Sequence, residues 1–401
     1  MKKILAGIAT FFLALLLVAC NNKTENVVIS KVYGATDLDN NVIELYNNSD
    51  KEVNLKGYSL RFYTNGSKEV SQTISLNGKI GANDFFTISG KAFNISEYKE
   101  KIDFTYTEDR LPFNGNDAIE LAYNKKGVDV VGFIGMDINF SNKLTLIRLG
   151  EKKDYKPTTT YETESFINYV PDLFKYLKND NHEIKTVEQL LAGPRLEDRY
   201  FDMPFKDPNQ ENAGGGGVIA ARWTSIADGD TASFTGEGYP GGSMRYFYIN
   251  TPEVNGTNVS AEPWGYVASK YNKEYLLTES NRDKVLLQSI PGYTLTETHG
   301  RNIGLIWVNG HLSQFLIVAE GLSEDVSIIY NDYDLLLSYK EVPYLTFLLF
   351  AEQNAIDNGW GTKGYPKNPN GEKSPDWNYQ SGSLATTNPN WKPHLPLPWN
   401  N

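Results

Sequence analysis

The chain has 401 residues, of which 40% are hydrophobic and 13% aromatic, and this is enough apolar material for two packed cores. Its formal net charge of -11 excludes a protein that coats nucleic acid through a broad basic surface, so any polyanion must be held locally. Cys20 is the only cysteine, and no intrachain disulfide can therefore stabilise the fold.

The N-terminus has the pattern of a secretory signal. Lys2 and Lys3 precede an apolar run over residues 4–19, which is too short for a stable membrane span. Residues 17–20, Leu-Val-Ala-Cys, resemble the lipobox of bacterial lipoproteins. The resemblance implies cleavage before Cys20, lipidation of this cysteine, and anchoring at the extracellular face of the cell membrane. The alternative is an ordinary secreted protein with a chance cysteine.

Residues 24–150 have an all-β pattern. Short runs of β-forming residues alternate with clusters of Asn, Asp and Gly, a spacing typical of an antiparallel sandwich. The runs occupy residues 27–33, 42–46, 58–63, 85–88 and 118–121. The sequence shows no nucleophile with a base and no cluster of metal ligands in this region. Glu44 and Glu120 alternate with apolar neighbours, which favours two solvated strand faces over a site.

Four motifs in this region resemble, in their order, the lamin-tail domain of bacterial surface proteins. They are residues 43–47 (Ile-Glu-Leu-Tyr-Asn), 55–60 (Leu-Lys-Gly-Tyr-Ser-Leu), 117–121 (Asp-Ala-Ile-Glu-Leu) and 129–133 (Asp-Val-Val-Gly-Phe). The resemblance implies an immunoglobulin-like sandwich that serves adhesion or targeting. Its surface or polymer ligand is unknown.

Residues 151–217 are predicted to be a connector. Residues 186–191 predict a short helix that begins at a capping threonine. The four consecutive glycines at 214–217 predict a flexible hinge, which would position two domains independently.

Residues 218–365 change to a pattern of strands followed by amphipathic helices. Residues 228–231, Asp-Gly-Asp-Thr, contain a tight hairpin signal between two strands. Helices are predicted from Pro263, from Ser313 to a stop at Gly321, and from Pro343 to Gly359. The pattern predicts a C-terminal α+β module, a small OB-like Greek-key barrel with helices.

Residues 366–401 are rich in Pro, Asn and Trp and predict no regular element. Three alternatives remain open for this tail. It is disordered, its tryptophans lie against the barrel, or they stack on single-stranded bases.

Residues 218–362 carry motifs in the order and spacing of the staphylococcal nuclease family. The motifs are residues 228–231 (Asp-Gly-Asp-Thr), 250–253 (Asn-Thr-Pro-Glu), 263–268 (Pro-Trp-Gly-Tyr-Val-Ala), 299–301 (His-Gly-Arg), 308–310 (Val-Asn-Gly) and 319–322 (Ala-Glu-Gly-Leu). The resemblance implies calcium-dependent hydrolysis of phosphodiester bonds in DNA, with RNA as an alternative substrate, and 3'-phosphorylated products.

The resemblance also implies the metal ligands. Asp230 matches the first calcium carboxylate, and Thr251 matches the threonine that binds calcium through its backbone carbonyl. The second metal carboxylate of the family falls at Asn250, an amide, from which we expect weaker calcium binding. His299 stands where the family has tyrosine, and nothing in the sequence gives it a catalytic role.

The catalytic groups implied by the same match are Arg245, Arg301 and Glu253. Two guanidinium groups stabilise the transition state of phosphodiester cleavage more than its ground state, because charge concentrates during the reaction. Glu253 would orient or deprotonate the attacking water. Arg245 and Asn250 face opposite sides of a regular strand, so a bulge or a strand end must separate them.

The net charge of the C-terminal module favours two alternatives to an active nuclease. Residues 218–365 contain nine Lys and Arg against seventeen Asp and Glu, an excess that weakens attraction to a polyanion. One alternative is a degenerate nuclease fold that only binds nucleic acid or a protein partner. The other is an adhesin in which both domains are interaction modules.

Overall fold

The computed structural model describes residues 26–254, 261–297, 299–326, 337–364 and 390–399. The predicted signal sequence, Cys20 and Trp377 lie outside these ranges. The chain divides into two compact units, Met1–Lys185 and Thr186–Asn401. Within the described ranges, no helix combines the length and the apolar character needed to span a membrane.

The first unit is all β, as predicted. A six-stranded sheet has the order β12-β11-β1-β2-β7-β8, a four-stranded sheet has the order β10-β9-β4-β5, and β3 pairs with β6. The strands are β1 (Val27–Tyr33), β2 (Val42–Asn47), β3 (Val53–Asn54), β4 (Tyr58–Tyr63), β5 (Gln72–Ser75), β6 (Lys79–Ile80), β7 (Phe85–Ser89), β8 (Phe104–Thr105), β9 (Ala118–Tyr123), β10 (Lys126–Val131), β11 (Thr145–Arg148) and β12 (Phe166–Tyr169). Leu45 of the larger sheet and Leu60 and Leu121 of the smaller one are fully buried.

Glu44 and Glu120 do not lie on solvated strand faces, and that prediction was wrong. Glu44 is fully buried and accepts hydrogen bonds from Lys31 Nζ at 2.5 Å and from the backbone N–H of Lys178 at 2.7 Å. Glu120 is also buried and accepts a hydrogen bond from the Tyr63 hydroxyl at 2.8 Å. Strand alternation does not reveal the distant segment that covers Glu44. It also does not reveal the polar partners that offset the free-energy cost of burying the two carboxylates.

The first part of the predicted connector belongs to this unit. β12 pairs with β11 at the edge of the larger sheet, so residues 166–169 extend the sandwich. Phe174 and Leu177, further along the segment, join Tyr33 and Phe93 in a buried cluster. The boundary of the predicted connector is therefore corrected for residues 151–185, while the expectation that the aromatics of residues 166–177 pack back on the sandwich agrees with the structure.

The second unit combines a mixed sheet with helices. Its main sheet has the order β15-β14-β13-β17-β18-β19. The strands are β13 (Val218–Ile226), β14 (Thr231–Thr235), β15 (Gly242–Tyr246), β16 (Ile249–Asn250), β17 (Val285–Gln288), β18 (Asn302–Val308), β19 (His311–Leu312), β20 (Asp325–Val326), β21 (Ser338–Tyr339) and β22 (Val342–Pro343).

One further pairing closes five of these strands into a ring. β13 pairs through its first half with β17 and through its second half with β14, with a register shift between Trp223 and Ser225. β15 then pairs in parallel with β18. Phe234, Met244 and Leu287 are nearly or completely buried, as expected for the interior of such a ring. Arg245 follows Met244 and therefore faces the opposite side.

The helices of this unit begin and end close to the predicted positions. They are α1 (Val187–Leu191), α2 (Gly265–Tyr271), α3 (Ser313–Ala319) and α4 (Tyr344–Asn358). α1 has the predicted threonine cap, with Thr186 Oγ1 accepting from the backbone N–H of Gln189 at 3.3 Å. α4 ends at Gly359, whose φ of 64° provides the left-handed cap.

The glycine run at residues 214–217 is packed and is not a flexible hinge, which corrects the second part of the connector prediction. Gly216 donates its N–H to Ser289 Oγ at 3.0 Å, and Gly217 donates to the carbonyl of Pro204 at 3.0 Å. A Cβ atom on Gly217 would lie 1.9 Å from the Met203 carbonyl oxygen. Glycine is needed here because two backbone segments touch, a requirement that sequence composition does not distinguish from flexibility.

The described end of the tail packs against the second unit. Glu320 is 1% exposed, and its carboxylate accepts the backbone N–H groups of His394 at 2.7 Å and Leu395 at 2.9 Å. The His394 ring stacks on Trp360 with ring centroids 4.8 Å apart. Trp391 is buried with its ring edge against Tyr271. For Trp391, the alternative in which the tail lies against the barrel is the observed one.

Candidate active site

Asp230 lies at the end of the hairpin turn between β13 and β14 and is 1% exposed. Its Oδ2 atom accepts two hydrogen bonds from Thr251, at 2.6 Å from the backbone N–H and at 3.0 Å from the hydroxyl. A Cβ atom at Gly229 would lie 2.6 Å from Thr251 Oγ1 and 2.7 Å from Ala268 Cβ. The turn glycine therefore permits the close approach that joins Asp230 to the segment carrying Thr251.

Arg245 neutralises this buried carboxylate. Arg245 is opposite Thr231 in the β14–β15 pair, which brings its guanidinium next to the preceding residue, Asp230. Nη1 forms an ion pair with Asp230 Oδ1, and Nη2 donates to Asn250 Oδ1 at 2.5 Å. One guanidinium thus bridges the two side chains that the resemblance assigns to the metal.

A strand end explains how Arg245 reaches Asn250. β15 ends at Tyr246 and β16 begins at Ile249, so the two residues do not belong to one continuous strand. Between them Tyr248 has a φ of 74°, a left-handed conformation that is unusual for a bulky residue. The interruption changes the direction of the chain, and both side chains can then meet on one side.

Arg301 lies on the same side of the parallel β15–β18 pair as Arg245. Arg245 is opposite Ile303, and alternation along the extended chain places Arg301 on the Ile303 side. The Arg301 side chain forms an ion pair with Glu297, and the backbone N–H of Glu297 donates to the Arg301 carbonyl at 2.9 Å. The turn that carries the His-Gly-Arg motif is thus closed by Glu297, a residue that sequence reasoning missed.

The charges of the site act on one another. Burial lowers the pKa of the Arg245 guanidinium, and the positive charge of Arg301 lowers it further. The negative charges of Asp228, Glu253 and Glu297 raise this pKa. Arg301, Glu253 and two further carboxylates therefore lie within electrostatic reach of Arg245.

Asp228 is a second carboxylate of the hairpin turn. Burial raises its pKa above the ordinary value, and Arg245 is the largest influence in the opposite direction. Asp228 Oδ1 accepts the backbone N–H of Asp230 at 3.1 Å, so it shapes the turn. Sequence reasoning included Asp228 in the hairpin motif but gave it no role of its own.

Glu253 is exposed and lies beside other acidic residues. Its backbone N–H donates to Glu262 Oε2 at 2.8 Å. Burial raises the pKa of Glu324, and the neighbouring charges of Glu262, Asp325 and Glu253 raise it further. Glu324 also accepts a hydrogen bond from Asn250 Nδ2 at 3.3 Å. The pairing of β16 with β20 brings Glu324 here from a distant part of the sequence.

Asp230 and Asn250 provide oxygen atoms of the kind that calcium accepts as ligands. The described part of the chain has no group of three or more His, Cys, Asp or Glu side chains arranged to hold a metal ion. Calcium also accepts amide and carbonyl oxygens, and Asp230 Oδ1 and Asn250 Oδ1 converge on one guanidinium. Two such oxygens and one full negative charge fit a calcium ion that keeps several waters.

His299 is exposed at the turn that precedes β18. It lies next to Gly300, whose φ of 79° requires the left-handed region.

Comparison with known proteins gives two kinds of similarity. Residues 21–135 match the family described as Lamin Tail Domain, in agreement with the resemblance seen in the first unit. The chain is 34% identical over 104 residues to the SPbeta prophage-derived endonuclease YokF of Bacillus subtilis (strain 168), covering 26% of this chain and 33% of that protein. It is 28% identical over 144 residues to Endonuclease YncB of the same organism, covering 35% of this chain and 61% of that protein.

The aligned regions span about one third of one curated relative and about three fifths of the other. Both relatives carry the name endonuclease. The match to the lamin tail family ends before the second unit begins.

Proposed function

We propose that the second unit is a calcium-dependent nuclease that hydrolyses phosphodiester bonds of extracellular DNA, with RNA as an alternative substrate, to 3'-phosphorylated products. The observation that carries the proposal is the bridge from Arg245 to Asp230 and Asn250, with Arg301 close enough to lower the pKa of Arg245. The similarity to two proteins named endonuclease supports the reaction class. The closed ring of five strands with added helices supports an OB-like barrel.

In the proposed mechanism, Asp230, Asn250 and Thr251 would hold the calcium ion. When bound, the ion supplies positive charge to the phosphate and lowers the pKa of a bound water. Asp230 is kept in position by its two hydrogen bonds from Thr251. The hairpin therefore orients its carboxylate before any ligand arrives.

The two arginines hold the phosphate and stabilise the charge that develops on its oxygens. Each guanidinium presents several N–H donors in a planar fork, which matches the geometry of a phosphate group. Glu297 orients Arg301 through its ion pair. The exposed Glu253 carboxylate accepts the proton of the attacking water.

The experiment that tests this proposal measures cleavage of a fluorescent single-stranded DNA by the purified chain. We expect cleavage with calcium, arrest on addition of a chelator, and 3'-phosphate ends on the products. Cleavage that continues at the same rate after chelation, or products with 5'-phosphate ends, would contradict it.

A second candidate function is binding without cleavage. Asp230 and Glu297 each form an ion pair with one of the two arginines, and an amide stands at position 250. The excess of acidic residues in 218–365 also favours binding without cleavage. Binding of a labelled oligonucleotide or of a protein partner with no cleavage at any calcium concentration would favour this candidate.

We also propose that the protein is anchored through lipidated Cys20 at the extracellular face of the cell membrane, with the lamin-tail-like unit as an adhesion or targeting module. The lipobox at residues 17–20 supports the anchor. Growth with labelled palmitate should label the wild-type protein. A Cys20→Ser variant that retains the label would disprove lipidation at this residue.

A further inference from the structure

We propose that Arg245 and the calcium ion compete for the same pair of oxygen atoms, so that calcium binding releases this arginine for the phosphate. The inference rests on the proposed function and adds a control of the site by its own side chain. In the structure, the Arg245 guanidinium contacts both of these oxygens. The residue that would bind substrate is then also the residue that blocks the metal.

The geometry makes the two occupants exclusive. Nη1 and Nη2 of one planar group reach Asp230 Oδ1 and Asn250 Oδ1. A calcium ion at roughly 2.4 Å from both oxygens would lie against these nitrogens. Two positive charges at such a distance repel strongly in a partly buried site, so the guanidinium must leave when the ion binds.

The burial of Asp230 explains why Arg245 takes this position. Asp230 is 1% exposed, and a buried carboxylate requires a compensating charge. Thr251 satisfies Oδ2 with two neutral donors but supplies no charge. Arg245 supplies the charge at Oδ1.

The amide at position 250 makes the competition more even. A second carboxylate would attract a divalent cation more strongly than it attracts a single guanidinium charge. Asn250 lacks that charge and instead accepts a hydrogen bond from Arg245 at 2.5 Å. The substitution therefore raises the calcium concentration needed to free Arg245.

Calorimetric titration of calcium into the purified chain tests the competition without measuring activity. We expect Arg245→Ala to bind calcium about tenfold more tightly than the wild type, within the range of coupling between ligands. Arg245→Gln keeps hydrogen-bond donors without the charge, and it is the second variant if the alanine variant does not fold. It should also bind calcium more tightly.

Arg301→Ala is the matched control, because it removes the same charge from the same site but its ion-pair partner is Glu297. It should change calcium affinity much less than Arg245→Ala. Asp230→Asn should abolish binding. The inference would be overturned if both Arg245 variants bound calcium as tightly as the wild type or more weakly. It would also be overturned if Asp230→Asn bound calcium as tightly as the wild type, or if no variant bound calcium.

The outcome is separable from that of the proposed function. DNA cleavage by the wild type with no gain of affinity in the Arg245 variants would overturn the competition and leave the nuclease proposal in place. Tighter calcium binding by these variants without cleavage by the wild type would overturn the nuclease proposal and leave the competition in place.

Discussion

Arg245 Nη2 donates to Asn250 Oδ1 at 2.5 Å, although the two residues would face opposite sides of one continuous strand. The contact depends on the end of β15 at Tyr246 and on the left-handed backbone of Tyr248. It brings a phosphate-binding group and a metal-binding group of the proposed nuclease together. In the proposed mechanism, Asp230 and Asn250 are thus both contacts of Arg245 and ligands of the metal.

Asn250→Asp should increase calcium affinity by roughly tenfold, because it adds a negative charge next to the cation. The new carboxylate would also face Glu324, whose Oε2 now accepts the Asn250 amide at 3.3 Å. Calcium would relieve that repulsion. Isothermal titration calorimetry of the variant and the wild type measures the difference. An affinity equal to that of the wild type would show that Asn250 is not a ligand.

Glu44→Gln should destabilise the first unit by about 3–5 kcal/mol, because it leaves the buried Lys31 charge without its partner. Glu52→Gln is the matched control, since the Glu52–Lys79 pair is more than half exposed and should contribute little. Urea unfolding followed by circular dichroism measures both free energies. Equal effects of the two substitutions would contradict the buried position of Glu44.

The stability of the first unit should fall as the pH drops below about 6.5. Burial lowers the pKa of His182 from 6.5 to about 4, so between these values the unfolded chain binds a proton that the folded chain does not. Protonation therefore favours unfolding, by about 3 kcal/mol between roughly pH 7 and pH 4.

His182→Phe isolates this contribution, because phenylalanine does not titrate and can pack between the rings of Tyr169 and Tyr176. Burial and Arg195 also lower the pKa of His311 to about 4, but that effect is common to both proteins. The difference between their urea unfolding curves at the two pH values therefore reports on His182. The same loss of stability in both proteins would assign the pH dependence to other groups.

Gly217→Ala should reduce the free energy of unfolding of the second unit by about 1–3 kcal/mol or more, because the added Cβ would lie 1.9 Å from the Met203 carbonyl oxygen. A mobile linker would tolerate alanine without loss. Thermal unfolding of the variant distinguishes the two cases. An unchanged midpoint of thermal unfolding would support the prediction that the glycine run is a flexible hinge.

The sequence predicted features that depend on neighbours along the chain. The cap at Gly359 and the threonine before α1 follow from local conformational preference, and the hairpin at residues 228–231 from its turn residues. The family resemblance supplied Asp230 and Arg245, which the fold brings into contact.

The sequence could not predict features that depend on distant partners. Lys178 is 134 positions from Glu44, and this separation hides why a strand glutamate is buried. Glu324 reaches Asn250 through a short strand pair. Tertiary pairing determines these two contacts, and strand alternation contains no information about it. Glu297 lies only four residues before Arg301, so that contact was missed although it is local.

The rate of calcium-dependent cleavage of single-stranded DNA by Arg245→Ala, compared with wild type and Arg222→Ala, tests the central claim most directly. Arg222 is an exposed arginine of the same unit, paired with exposed Asp283, and its loss should leave the rate unchanged. We predict that Arg245→Ala lowers the rate by about a hundredfold or more, because a transition-state contact is lost. Full activity of Arg245→Ala at saturating calcium would show that any cleavage arises elsewhere.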